Sequence, residues 1–291
     1  MITNNHGLPD AFVNYARSDK YSKGDSDISV TQLIDSPRIL LMRERHKEEL
    51  TTDAMDMVWA LFGTAVHAVL EGAVGVNVVK EKRLYRDIDG WVLSGQVDQY
   101  EIKDNALRIT DYKVTSVWSV IFNKQEWVNQ LNVYAYLLEM EEQIPVNSIQ
   151  ICAILRDWNR REASLRPDYP QTPIAIVDIP LWSLEERTAY VEDRIALHQN
   201  ARQLFDLNDG MVLCTKDEMW SKPDVYAVKK PSNKKAKKRF EDRENAEQFL
   251  DNLKDKHLYE IEFRAGESAR CKNNYCGVAD FCNQYKETIN E

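Results

Sequence analysis

The chain has 291 residues, 43% of them hydrophobic and 29% charged, with a net charge of −9; this length can bury a full core in one large or two small domains. That acidic balance excludes a surface coated in nucleic acid, although a local basic groove could still hold a polynucleotide backbone. No basic segment followed by an apolar run opens the sequence at Met1–His6, and the apolar stretch Met57–Val69 is short for a bilayer, so a cytoplasmic protein without a membrane partner is expected.

Residues 1–28 are polar, with Gly7, Pro9 and Gly24, and read as a loosely packed arm. Order is expected from Ser29, which like Thr31 can cap a helix; Ser36-Pro37 then interrupts before a charged helix over Ile39–Leu50. A helix from about Asp53 to Gly72 is apolar on most faces, which predicts burial against a sheet, and it sets Gly63 and His67 one turn apart. His67 there fits either a satisfied core histidine or a metal ligand. Val78–Tyr85 reads as the first strand, with Glu81 either near a metal or facing solvent.

Trp91–Tyr100 follows the Asp89-Gly90 turn and Ala106–Val114 follows Asp104-Asn105, so these two runs predict a hairpin. A helix over Trp127–Glu142 places Gln130 and Tyr134 on one face. Ser148–Asp157 and Ile174–Leu181 alternate as strands, while Pro167, Pro170 and Pro173 predict a loop over 159–173. Ser183 then caps a long helix, Leu184–Leu207, whose Glu185 and Glu186 suit its positive end.

The hairpin carries the chemistry. Asp111 and Lys113 are two apart and share a face, and Asp98 on the neighbouring strand can meet them. Two carboxylates about 4 Å apart repel by roughly 4 kcal/mol at an effective dielectric near 20, so the pair needs a proton, an arginine or a divalent cation. An oxygen-liganded ion such as Mg²⁺ suits it best. The bare D-x-K triplet also fits ordinary solvent-facing strand residues.

Beyond 208 the character changes. Residues 209–265 read as a small basic module: a hairpin over 225–230 and 236–240, a helix over Asp242–Lys254, and a strand over His257–Arg264. Its tip concentrates Lys229, Lys230, Lys234, Lys235, Lys237, Lys238 and Arg239, a run that fits either a phosphate grip or a solvated turn guarding an edge strand. In 266–291, Cys271, Cys276 and Cys282 fall close together, which without an export signal points to metal rather than disulfide. Three thiolates need a fourth ligand, for which Cys214 is the candidate, leaving Cys152 as a strand thiol. A [4Fe–4S] cluster is the first expectation and Zn²⁺ the second.

Four motifs follow in order: Gly63-x-x-x-His67, Gly95-x-x-Asp98, Asp111-x-Lys113 and Gln130-x-x-x-Tyr134. Together they resemble the PD-(D/E)XK nuclease superfamily, and within it the RecB-like branch that includes CRISPR-associated and phage-encoded exonucleases. The resemblance implies an α/β, restriction-endonuclease-like core over 29–208, with a mixed central sheet flanked by helices. It implies a metal-dependent DNA exonuclease of bacterial or phage recombination, replication or repair, acting on single strands or DNA ends, with a recombination or single-strand-binding protein as partner. Asp98, Asp111, the Tyr112 carbonyl and His67 would hold Mg²⁺ or Mn²⁺, and Lys113 would orient the attacking water or neutralise charge on the phosphate. Gln130 would support catalysis or, with Tyr134, touch DNA. The terminal cysteines resemble that branch's cluster motif, where the first gap is commonly shorter and where Ser36 here replaces the usual first cysteine. The alternatives are a structure-specific endonuclease, a non-catalytic DNA-binding subunit, and an enzyme acting on another phosphate ester.

Overall fold

The computed structural model describes residues 1–18, 22–72, 77–122, 124–207 and 210–288. The chain divides into two units, Met1–Pro37 with Glu48–Gly210, and Arg38–Lys47 with Met211–Glu291.

The first unit opens with β1 (Ile2–Thr3), α1 (Asp10–Arg17), β2 (Ile28–Ser29) and α2 (Val30–Leu33). Ser29 caps α2 through a complete capping box with Gln32. After α3 (Pro37–Arg45), which lies almost wholly in the second unit, β3 (Thr52–Asp53) pairs in parallel with β1. The expected loose arm is therefore corrected: Asp53 Oδ2 accepts from Thr3 Oγ1 at 2.9 Å and from Asn5 N at 2.8 Å, tying the first residues down.

α4 (Val58–Glu71) is the larger correction. Its apolar residues were expected inside, yet every residue is at least partly exposed, with Trp59, Phe62 and Val69 at 52%, 49% and 74%. Apolar side chains surround the helix, but it packs on the sheet at β6 along one side only, so the rest face outward. By length and composition alone, the 18 residues Ala54–Glu71 would also suffice to cross a bilayer.

The sheet is built from β4 (Val78–Ile88), β5 (Trp91–Lys103), β6 (Ala106–Thr115), β7 (Val146–Leu155) and β8 (Ile174–Ile179), with β2 added at one edge. Its order is β2-β5-β6-β7-β8, with β4 also on β5; β6 and β7 are parallel, while β4-β5, β5-β6 and β7-β8 are antiparallel. Asp104 and Asn105 turn the β5-β6 hairpin with left-handed backbones, φ 51° and 57°, as a two-residue turn between right-twisted strands requires.

α5 (Val117–Ile121) follows β6, and α6 (Gln125–Glu142) lies across the sheet with Leu131, Val133, Ala135, Leu137 and Leu138 buried. Burying each leucine contributes about 1.5–3 kcal/mol. Gly95 in β5 permits this approach, since a Cβ there would meet Val30, Tyr134 and Leu137 side-chain atoms at 2.8–3.0 Å. The loop expected over 159–173 holds only in its second half. Asn159 caps a short α7 (Arg160–Leu165) through Arg161 N and Glu162 N, ahead of the three prolines. α8 (Leu184–Asp206) begins at the Ser183–Glu186 capping box.

The second unit holds β9 (Ser221–Lys222), β10 (Val225–Lys229), β11 (Lys238–Phe240), α9 (Arg243–Asp251), β12 (Glu260–Arg264), β13 (Glu267–Ser268), α10 (Ala269–Lys272) and α11 (Asn283–Thr288). Its three-stranded sheet, β11-β10-β12, has the expected ββαβ order. Two differences from the expected boundaries stand out. Residues 38–47 group with this unit, where Arg43 donates to the Cys276 carbonyl at 2.9 Å and His46 stacks on Phe281 at 4.3 Å; residues 211–291 form a single unit. The expected boundary at 208–209 lies outside the described residues.

Candidate metal centre

The strand registers align three carboxylates in one row. β4-β5 pairing matches Lys80 with Gln99 and Lys82 with Val97, which sets Glu81 level with Asp98; β5-β6 pairing matches Gln99 with Thr110, which sets Asp98 level with Asp111. Residues directly across a ladder share a face. Neither Glu81 nor Asp111 is itself backbone-paired to Asp98, so the ladder opens at this level. Glu81 has a left-handed backbone, φ 50°, a strain of about 1–3 kcal/mol for a non-glycine residue. On the other side, Asp98 Oδ2 takes the Tyr112 N–H at 2.8 Å in place of a backbone acceptor.

Above the row stands α4, from which His67 Nδ1 lies 3.6 Å from Glu81 Oε1 and 3.6 Å from Asp98 Oδ1. One ligand atom each from His67, Glu81 and Asp98 lies within 4.8 Å of the others. Glu81 is fixed by Gln96 Nε2 at 2.7 Å, and Gln96 in turn by Arg83 at 2.6 Å. Lys113 Nζ donates to Asp111 Oδ1 at 2.8 Å. The expected convergence of Asp98, Asp111 and Lys113 is thus met, but with a different partition. Glu81 joins His67 and Asp98 as the close group, and Asp111 is bound by its own lysine. Tyr112 contributes its amide to Asp98 and sets its ring edge-on to His67, with centroids 6.4 Å apart.

Burial, then the charge of Asp111, pushes the Asp98 carboxyl up to about 7, against the pull of Lys113, His67 and the Tyr112 amide. Burial by itself would lower Lys113, but Asp111 and Asp98 outweigh it and hold the ammonium above the ordinary lysine value. Among the described residues, Asp111 Oδ2 is buried with no hydrogen bond, although the Lys113 nitrogen sits 2.6 Å away outside bonding geometry. Three carboxylates and an imidazole against one ammonium, with an orphaned carboxylate oxygen, make a donor set that fits a divalent ion with oxygen and nitrogen ligands.

Gln130 and Tyr134 are corrected as DNA-facing groups. Both are buried, at 8% and 6% exposure, and Gln130 Nε2 donates to the Tyr134 hydroxyl at 3.0 Å, because this face of α6 is the one that packs on the sheet at Gly95.

In the second unit, Cys214, Cys271, Cys276 and Cys282 line one small cavity with Arg38 and Met42. Arg38 Nε approaches Cys282 Sγ at 3.4 Å, and Gln284 holds the Cys214 backbone through both its N–H and its carbonyl. Burial, then the neighbouring Cys276 and Cys282, raises the Cys271 thiol to about 11. Ser36 is fully buried and belongs to the first unit. At the basic tip, Lys229 is paired with Glu262 at 2.6 Å, Lys230 and Lys237 lie over the Tyr259 ring, and Lys238 lies over Phe240 and Phe249. Lys234 and Lys235 are exposed.

A mixed sheet flanked by helices, with carboxylates and a lysine gathered where its central hairpin opens, defines a nuclease-type α/β core. Residues 73–283 match the PD-(D/E)XK nuclease superfamily, and the chain belongs to that superfamily. Its members use divalent metal ions, and the His67, Glu81 and Asp98 group is able to bind one. Among solved structures, SSO0001 shares 19% identity, covering 65% of this chain and 82% of that one, with a TM-score of 0.41. A candidate exonuclease from Eubacterium rectale shares 11% identity, covering 62% of this chain and 77% of that one, with a TM-score of 0.28. Curated proteins give no match.

Glu81 is the site residue that sequence reasoning left undecided. Its one signal is an acidic residue on the strand preceding the Asp98 strand, between Lys80 and Lys82.

Proposed function

We propose that this protein is a metal-dependent DNA exonuclease that hydrolyses phosphodiester bonds at DNA ends or on single strands. The observation that carries this reading is the level row of Glu81, Asp98 and Asp111 beneath His67, with Lys113 on Asp111. Asp98, Asp111 and His67, with the Tyr112 carbonyl and now Glu81, would hold Mg²⁺ or Mn²⁺. A divalent ion bound there supplies Lewis acidity toward the scissile phosphate and acidifies a water for attack. The remaining work falls to the chain. The Tyr112 amide fixes the orientation of Asp98, and Gln96 fixes that of Glu81. Lys113, kept charged by its two carboxylate neighbours, would orient the water or offset negative charge growing on the phosphate. Gln130 acts from beneath the sheet by holding Tyr134, a positioning role.

The test is digestion of end-labelled single- and double-stranded DNA with Mg²⁺, Mn²⁺ or chelator, using wild type and Asp111→Asn. Asp111→Asn should remain folded by circular dichroism and lose nearly all metal-dependent cleavage; undiminished turnover would overturn the assignment. Circular single-stranded DNA separates an exonuclease from a structure-specific endonuclease, because only the latter cuts a substrate without ends.

For the second unit we propose that Cys214, Cys271, Cys276 and Cys282 bind a structural metal, a [4Fe–4S] cluster first and Zn²⁺ second. The support is that all four line one cavity, and thiolate sites of this kind accept either metal. Visible absorbance of anaerobically purified protein, with metal analysis, tests this: neither iron nor zinc at stoichiometric level would refute it. The lysines at 230, 234, 235, 237 and 238 are proposed to bind DNA phosphates, and the setting to be recombination, replication or repair in a bacterial cytoplasm.

A further inference from the structure

Two exposed aromatic groups in the first unit have no role in that chemistry. On α4, Trp59, Gly63 and His67 follow at intervals of four, so they form one stripe along the helix. His67 reaches the carboxylates, and Trp59 lies about 12 Å away at 1.5 Å per residue. Between them Gly63 is bare, with no atom within 4 Å of where a Cβ would stand. Trp59 is 52% exposed, with the Arg156 guanidinium 4.3 Å from its ring centre.

The second group lies past the end of β6. Trp118 and Phe122 stack on one another at 5.8 Å and 16°, yet remain 50% and 74% exposed, and Arg166 sits 6.0 Å from the Trp118 ring. Asp111 and Thr115 are four strand residues apart, so β6 ends about 13 Å from the carboxylates and the pair follows it in the next helix. The same end of the sheet joins both groups: Arg156 N donates to Thr115 O at 2.9 Å, and Asp157 accepts the Val117 N–H at 2.7 Å. Residues 156–168 carry four arginines against three acids in a chain of net charge −9, and Arg166 shares its charge with Asp168 at 2.9 Å.

We propose that Trp118 and Phe122, with Trp59 and the flanking Arg156 and Arg166, form a stacking platform that selects single-stranded DNA and leads it past Gly63 to the carboxylate row. The proposal rests on the nuclease reading and adds how its substrate is chosen. Exposed ring faces bind unpaired bases, which a duplex hides in its own stack, and arginines beside the rings neutralise the backbone that carries those bases. A packing role would have buried these rings.

The test uses full-length protein in chelator, where binding is read without cleavage, by fluorescence anisotropy of a labelled oligothymidine of about twenty nucleotides and of a duplex of equal length. Trp118→Ala/Phe122→Ala should weaken single-strand binding about fivefold or more for each ring removed, while duplex binding changes little and Trp118→Tyr keeps most of the affinity. With Mg²⁺ the same double variant should raise KM on single strands and leave kcat near wild type. Unchanged single-strand affinity in the double variant, or an equal loss on duplex, overturns the platform, as does wild type that fails to bind the single strand. Cleavage that persists with unchanged affinity would leave the nuclease reading standing without the platform. Selective loss of binding in a protein that never cleaves would do the reverse.

Discussion

At the scale of single residues, two carboxylates of one row behave differently because their surroundings differ. Lys113 lies against Asp111, whereas Asp98 is partly buried beside that negative charge and its carboxyl is pushed up to about 7. The division of roles that follows is testable at Lys113. Lys113→Ala removes the ammonium but leaves the His67, Glu81 and Asp98 ligand atoms in place. Mg²⁺ binding by calorimetry should persist while single-turnover cleavage slows by about 10²–10³, the usual cost of losing one transition-state donor. Abolished metal binding would show that the lysine organises the ligands instead. Asp98, Asp111 and Lys113 were legible from spacing and alternation. Glu81 was not, because its place depends on a left-handed backbone that lets it join the row.

At the scale of elements, the close contact of α6 with β5 depends on Gly95. A methyl group there would crowd Val30 Cγ2, Tyr134 Cε1 and Leu137 Cδ1. Gly95→Ala should therefore destabilise the first unit by about 1–3 kcal/mol, read as a lower urea midpoint with little change in slope. α8 makes a second such bond. Its His198 is buried, donates from Nε2 to Leu33 O at 3.1 Å, and neighbours Arg194, which also reaches the Leu33 and Asp35 carbonyls. Burial first, and then the Arg194 charge, lowers this imidazole from 6.5 to about 4. The unfolded chain thus binds the proton more readily, so stability is full above pH 6.5 and falls as pH drops toward 4, by up to about 3 kcal/mol. Urea unfolding across that range should show the decline, and His198→Gln should flatten it; an equal decline in the variant would assign it to other groups.

At the scale of the whole molecule, a net charge of −9 means that any grip on DNA must be local. Lys234 and Lys235 are exposed at the basic tip, as are Lys237 and Lys238 over their aromatic rings, whereas Lys229 is already held by Glu262. Lys234→Glu/Lys235→Glu should weaken DNA binding for all sequences alike and reduce the slope of log K against log salt by about two. An unchanged slope would make the tip a solvated turn.

What the sequence by itself determined was the order of elements and the hairpin chemistry, because alternation, turn residues and caps are local and each strand announces itself within a few residues. The five strands from Val78 to Ile179, the Ser183 cap and the Asp98, Asp111 and Lys113 set all follow from such signals. Tertiary structure alone decided which face of an element meets another. α4 is apolar all round and so has no face that announces burial, and it lies largely exposed; Tyr134 shares the α6 face with Gln130 yet is packed inside over Gly95. Likewise only the registers across three strands bring Glu81 level with Asp98 and Asp111, since pairing between distant segments is set by the packed sheet and not by the residues of any one strand.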